Sequence, residues 1–222
     1  MPPQTTVKFS PSQWKAEGQL ATSGERHVLG ALAPAYNGEP LRVIPFGRAA
    51  YLDPKTNKVT RPTAAPAKGT IVIVPILASR FGLQLTDQRR MSAVSASSPL
   101  PSNASDEQKQ QYQADKKALS ISAAKAQDEI QGYPPGPDIQ IEYYRTGTVV
   151  MWLEDDDAVN MGAPVYFRHV DGDSDRFPPM FAGRVTTKPT TDHTRLENAY
   201  FAESKKSKGL VAVQIDNLMI VA

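Results

Sequence analysis

Two runs of carboxylates and one serine–lysine step are the residues of this chain whose types and spacing could do chemistry. Asp171, Asp173 and Asp175 have the D-x-D-x-D spacing with which a loop points three carboxylates at a calcium ion. That loop also needs a glycine next and a bidentate glutamate further on, and Arg176 and Ala182 stand in those places. The run therefore reads as a solvated hairpin loop. Glu154, Asp155, Asp156 and Asp157 are consecutive. Acid/base work on a glycoside needs two carboxyl groups held apart in a cleft, in environments that push their pKa values apart. Four neighbours on one loop supply no such separation, and they read as a solvated cap or an acidic patch for a basic partner. Ser122-Ala123-Ala124-Lys125 matches the serine–lysine acylase step, but its partner motifs are missing and it lies in a Gln/Lys-rich segment.

The remaining chemistry-bearing types add little. His27, His169 and His193 stand far apart in different kinds of segment, so neither a metal-ligand spacing nor a nucleophile–base pair follows. Cysteine is absent, which removes disulfides, thiolate nucleophiles and cysteine-ligated metals together. Asn103-Ala104-Ser105 is a glycosylation sequon without a secretory context. The expectation is a protein that is not an enzyme and that has no catalytic residues, no cofactor and no metal. Contact chemistry is left. Phe9 and Trp14 stand in a breaker-rich segment with no core of its own, where aromatic side chains serve as anchors for a partner's pocket. Trp152, within an apolar run, reads as core. Lys205, Lys206 and Lys208 form a short basic loop suited to guarding a strand edge or touching a partner.

Bulk properties narrow the partner. Of 222 residues, 25 are basic and 23 acidic, so no long-range field draws the chain to nucleic acid or to an acidic membrane. The longest apolar runs fall far short of the roughly 20 residues that cross a bilayer. Met1-Pro2-Pro3-Gln4-Thr5 lacks the basic and apolar regions of a signal peptide, so the expectation is a soluble protein used without such export. The 40% apolar content is enough for a core, and the 19 prolines and 14 glycines favour strands with punctuated loops.

The elements that must position these residues are mainly β. One sentence occurs twice: Phe46-Gly47-Arg48-Ala49-Ala50-Tyr51-Leu52 and Met161-Gly162-Ala163-Pro164-Val165-Tyr166-Phe167 each place an apolar residue and a glycine ahead of a strand with tyrosine at the same point. Each is followed, after a polar stretch, by a glycine and an apolar strand, Gly69 to Val74 and Gly209 to Ile215. Strands are expected at 41–44, 49–52, near Val59, 70–77, 139–143, 148–153, 165–170, 182–186 and 199–202, with one or two closing strands over 209–222. Between them Ser105-Asp106-Glu107-Gln108 is a capping box. It opens a helix with one thin apolar stripe, Tyr112, Leu119, Ala123, Ala126 and Ile130, ended by Gly132 and Pro134. Such a stripe suits a helix on the outside of a β-domain, or one pairing with a copy of itself. The predicted fold is a sandwich or barrel of strands in two related halves, with one inserted peripheral helix (about 106–131) and an extended N-terminal arm. Residues 1–40 form the arm, 41–86 and 133–222 the β-domain, and 87–132 a loop-plus-helix insertion.

With these residues in view, the chain resembles the structural cement, or decoration, proteins of tailed-bacteriophage capsids. The stretches that carry the likeness are 43–49, 132–141 (Gly-Tyr-Pro-Pro-Gly-Pro-Asp-Ile-Gln-Ile), 146–152 with 158–168, and 196–201 with 209–215, about half of the chain. Their order is more specific than any one of them. The resemblance implies a β-rich, non-catalytic protein of the virion, made in the host cytoplasm. It implies a place on the outer capsid surface, often as a homotrimer at threefold or quasi-threefold positions, with the major capsid protein as partner. The helical insert and the arm depart from the family pattern, so no contact residues carry over to them. A carbohydrate- or receptor-binding β-module of a phage head or tail is the rival reading, and its signature would be aromatic residues on one exposed face. A hydrolase using Asp155–Asp157 or Asp171–Asp175 would need a cleft holding two of those acids.

Overall fold

Residues 140–153 alternate and then run continuously apolar, and in the computed structural model they form one unbroken strand instead of two. The structure describes residues 17–19, 21, 27–33, 43–77, 102–130, 132–133, 136, 139–154, 158–173 and 180–222. In chain order the elements are β1 (His27–Leu32), β2 (Ile44–Pro45), β3 (Ala50–Asp53), β4 (Lys58–Thr60), β5 (Ile71–Ile73), α1 (Asp106–Ile130), β6 (Gly132–Tyr133), β7 (Gln140–Leu153), β8 (Pro164–Arg168), β9 (Val185–Thr186), β10 (His193–Phe201) and β11 (Gly209–Val221). β2 and β6 pair with each other, and the other nine strands close into a barrel.

The closure has an internal crossbar. Strand order around the barrel is β1-β4-β3-β5-β11-β10-β8-β9-β7, but β7 also pairs directly with β11, from Leu153 opposite Gly209 to Gly147 opposite Ile215. This antiparallel ladder divides the barrel into two smaller rings, β7-β1-β4-β3-β5-β11 and β7-β11-β10-β8-β9. Each ring has its own core. Val149, Met151, Leu153, Phe167, Phe201, Val211, Val213 and Ile215 belong to one, and Leu52, Val59, Ile73, Tyr133, Ile141 and Tyr143 to the other. Side chains alternate across a strand, so β5 serves both: Val72 lies in the first core and Ile73 in the second. Both faces of β5 being covered explains why Ile71 to Val74 is a continuous apolar run.

The doubled sentence folds the same way twice at its start. Gly47 and Gly162 both have a left-handed backbone, at φ 65° and 83°, and each leads into the strand that carries the tyrosine. The two units touch, since the Tyr51 and Phe167 rings meet edge to face with centroids 6.1 Å apart. Their later strands differ: β3 pairs directly with β5, whereas β10 intervenes between β8 and β11. Burial pushes the Tyr51 hydroxyl up to about 12, and it donates to Ala64 O at 2.8 Å.

The capping box is formed as its residues predict. Gln108 N–H donates to Ser105 Oγ at 3.2 Å and Ser105 N–H donates to Gln108 Oε1 at 2.9 Å. Asp106 and Glu107 occupy the first turn, where the helix dipole favours negative charge. None of the described α1 side chains is buried, and Leu119 of the thin stripe is exposed.

Of segment 1–40, the described residues lie on the sheet. Gly18 N–H and Ala21 N–H donate to Val150 O and Thr148 O, Val150 N–H donates to Gln19 O, and β1 continues along β7 from Thr146 to Gln140. Gly30 reads as a breaker in the sequence, yet it is a close-approach residue within β1: a Cβ there would lie 2.0 Å from Gln140 Nε2. The last strands are also longer than expected, because polar Thr194, Arg195 and Glu197 belong to β10 and a bulge at Asn198 (φ 62°) absorbs the irregularity.

The two equivalent glycines predict different costs. A Cβ at Gly47 would lie 2.0 Å from the backbone N of Gly18, whereas one at Gly162 meets nothing within 4 Å. Gly162→Ala is expected to lose only the left-handed strain, about 1–2 kcal/mol, and Gly47→Ala distinctly more because backbone must move. Urea unfolding of the two variants checks this, and equal losses would contradict it.

Candidate functional site

Two crossed turns build a charged centre where the N-terminal segment meets the barrel. Gly47-Arg48 and Gly183-Arg184 approach so closely that a Cβ on Gly183 would lie 2.7 Å from both Ala49 O and Arg48 Cβ, and Ala49 N–H donates to Gly183 O at 2.8 Å. The two guanidinium groups flank one ring, with Arg48 4.7 Å and Arg184 4.9 Å from the Phe181 centroid, and Arg184 also lies 5.1 Å from Trp152. Glu17 enters from the N-terminal segment, 3.6 Å from Arg48 and 3.8 Å from Arg184. Both arginines are buried, where a carboxylate between two cations is favoured because water screens it little. Ala21 packs beyond it on Val150 and Ala212, over the outer face of the β7–β11 ladder. Glu17 is thus fixed on the barrel.

A second charged cluster closes the end of the β8–β9–β10 ring. Arg168 is 3% exposed, and its Nε donates to Glu154 Oε2 at 3.0 Å and Oε1 at 3.1 Å while Nη1 donates to Asp192 Oδ2 at 3.2 Å. The register that sets Arg168 opposite His193 brings that imidazole in, with Nε2 3.4 Å from Glu154 Oε2. Thr190 N–H donates to His193 Nδ1 at 3.1 Å, which assigns the hydrogen to Nε2. His169, next along from β8, has Nδ1 3.0 Å from Thr194 Oγ1. Two of the histidines that the sequence leaves in separate segments are therefore neighbours. The carboxylates here are engaged by Arg168 and His193, so the arrangement ties three chain segments together.

The remaining predicted residues are dispersed. Asp171 Oδ1 accepts from Ala182 N–H at 2.8 Å, a loop bond rather than a ligand position, and Asp175 lies outside the described residues, as do Asp155–Asp157. Ser122 is exposed on α1, and His27 is exposed on β1. Phe9 and Trp14 also lie outside the described residues. Among the described residues no group of three or more histidine, aspartate or glutamate side chains is placed to hold a metal, and no helix is long and apolar enough to cross a membrane. The basic loop is tied down, since Val159 and Lys205 exchange backbone hydrogen bonds of 2.6 and 2.9 Å. Lys205 Nζ donates to Leu210 O, and burial lowers the pKa of this amine while Glu203 opposes the shift. Lys206 faces solvent. The doubled sentence differs in its first residue: Phe46 is 7% exposed and stacks edge to face on Tyr133 at 5.2 Å, whereas Met161 is 69% exposed. Arg48, Arg184 and Glu17 were not singled out in the sequence. Their signal was there, an aromatic residue and a Gly-Arg step at 46–48 and again at 181–184.

Burial holds the His169 imidazole below its ordinary 6.5, with His193 and Arg168 acting the same way and Asp192 opposing. The unfolded chain takes up a proton as pH falls through 6.5 and the folded chain resists it, so stability present above that pH is lost below it. The thermal midpoint is expected to drop below pH 6.5, and His169→Gln to drop less over the same interval. An identical drop in both chains would contradict this.

No protein-family model and no curated protein matches the chain. Among solved structures it is similar to a chain of the structure titled "The capsid of Myoviridae Phage XM1", with 14% identity and a TM-score of 0.52. The likeness spans 96% of this chain and 94% of that one, so the two share the fold from end to end.

Proposed function

We propose that this protein is a structural component of a tailed-phage head, and within that role a decoration protein. It binds the outer face of the icosahedral shell and bridges neighbouring copies of the major capsid protein. The end-to-end likeness to a chain from a phage capsid is the observation that supports this most, because the whole chain is matched rather than one common motif. The resemblance of the ordered stretches 43–49, 132–141, 146–152, 158–168, 196–201 and 209–215 to cement proteins points the same way. The homotrimer, the outer-surface position and the capsid partner are carried by that resemblance.

The mechanism is thermodynamic. A protein that binds across seams present only in the expanded shell stabilises that state by RT ln(1 + [L]/Kd) per site, about 2.7 kcal/mol at a hundredfold excess over Kd. Many copies on one lattice multiply modest contacts. The residues ahead of Glu17 are the partner-binding element, with Phe9 and Trp14 as anchors. Glu17, Arg48 and Arg184 fix their root, so the ordering cost of binding falls on a short stretch.

Mixing the purified protein with expanded and unexpanded shells and sedimenting them tests this. Binding to the expanded shells and a raised disruption temperature are expected; no binding to either form would overturn the role. A chain lacking residues 1–16 keeps Glu17, Ala21 and β1 on the sheet, so it is expected to fold with the same thermal midpoint and to lose shell binding. Undiminished binding would remove the arm from the interface.

A further inference from the structure

We infer that β1 is an acceptor edge, and that residues Thr5–Phe9 of a second copy add to it as an extra strand. This rests on the reading of the N-terminal segment as a binding arm and narrows the partner of its first half to another copy of the chain. Three of the five large apolar side chains exposed among the described residues, Val28, Leu29 and Leu32, lie on this one strand. Val28 and Leu29 are 45% and 38% exposed although adjacent residues point to opposite faces. One edge of β1 is paired with β7 along its whole length. On the other edge, bonding among the described residues starts at Gly30, whose O accepts from Asn57 Nδ2 at 3.4 Å, and Leu32 N–H then donates to Asn57 O at 2.8 Å. Among the described residues no strand lies against His27–Leu29 on that side, and the strand, His-Val-Leu-Gly-Ala-Leu, carries no lysine, glutamate or proline to guard it. An open, apolar, unguarded edge is a template for an extended chain.

The occupant follows from sequence and direction. Thr5-Thr6-Val7-Lys8-Phe9 is the stretch ahead of Glu17 with strand-forming residues, bracketed by Pro3 and Pro11, which cannot donate to a ladder. As a strand it would set Thr5, Val7 and Phe9 on one face and Thr6 and Lys8 on the other. The described residues of 17–32 run along β7 from Val150 towards Gln140, so to reach its own His27–Leu29 edge the arm would have to reverse direction, which the edge of a second copy does not require. A donor arm and a separate acceptor edge make a head-to-tail contact, which closes into a ring when the rotation permits.

The chain has no cysteine, so engineered thiols are its only thiols. Val7→Cys protein mixed with Leu29→Cys protein, free and on shells, is oxidised and run on a non-reducing gel. The mixed dimer is expected to form on the order of tenfold faster than dimers of either variant alone, because strand addition raises the effective concentration of the two thiols. Its absence in both settings would overturn the inference. So would rapid closure of a Val7→Cys/Leu29→Cys chain on itself as a monomer, which would assign the arm to its own barrel. Adding the exposed substitution Val28→Lys to the Leu29→Cys chain is expected to leave its thermal midpoint unchanged and abolish the cross-link to Val7→Cys; retention of the link would also overturn the inference. Shell binding without cross-links rejects arm exchange alone, and cross-links without shell binding reject the capsid role alone.

Discussion

The antiparallel ladder between β7 and β11 is the constraint on which the rest of the structure depends. Seven residue pairs, Leu153–Gly209 to Gly147–Ile215, hold the two longest strands together and make them common walls of two rings. A single nine-strand barrel of this circumference would need many more inward side chains to fill it. The crossbar removes that need, because each ring closes around a core of its own. It also leaves β7 with a second edge, against which Gly18, Gln19, Ala21 and β1 lie between Val150 and Gln140.

Charged groups are used at the margins of this frame. Arg48, Arg168 and Arg184 are buried, and each is held by carboxylates or aromatic faces at a place where chain segments distant in sequence meet. Removing one partner from such a buried pair costs about 3–5 kcal/mol, more than an exposed pair contributes. Glu17 therefore joins the N-terminal segment to the frame. The surface beyond is uneven: of the five large apolar side chains exposed among the described residues, three lie on β1 and the others are Leu119 and Met161.

The β class, the two glycine-led units and the capped helix were legible in the sequence because each depends on local chemistry: alternation, left-handed glycines, and a serine three residues ahead of its glutamine partner. That Asp171, Asp173 and Asp175 lack the glycine and the glutamate of a calcium loop is a local fact of the same kind. The charged centres were not, because Glu17, Arg48 and Arg184, or Glu154, Arg168 and His193, meet only through long-range register. β1 escaped notice because Gly30 and the surrounding prolines and glycines have the look of breakers, and only the Gln140 side chain lying over Gly30 explains that glycine. Met161 and Phe46 occupy the same place in one repeated sentence, and nothing local distinguishes the buried one from the exposed one.

A reconstruction of phage heads that carry this protein tests the central proposal most directly. The account predicts β-barrel density on the outside of the expanded shell, three copies around each occupied threefold or quasi-threefold axis, with the N-terminal segment continuing from the Glu17 root into contacts with neighbours. Density inside the shell, or isolated single copies away from any such axis, would contradict it.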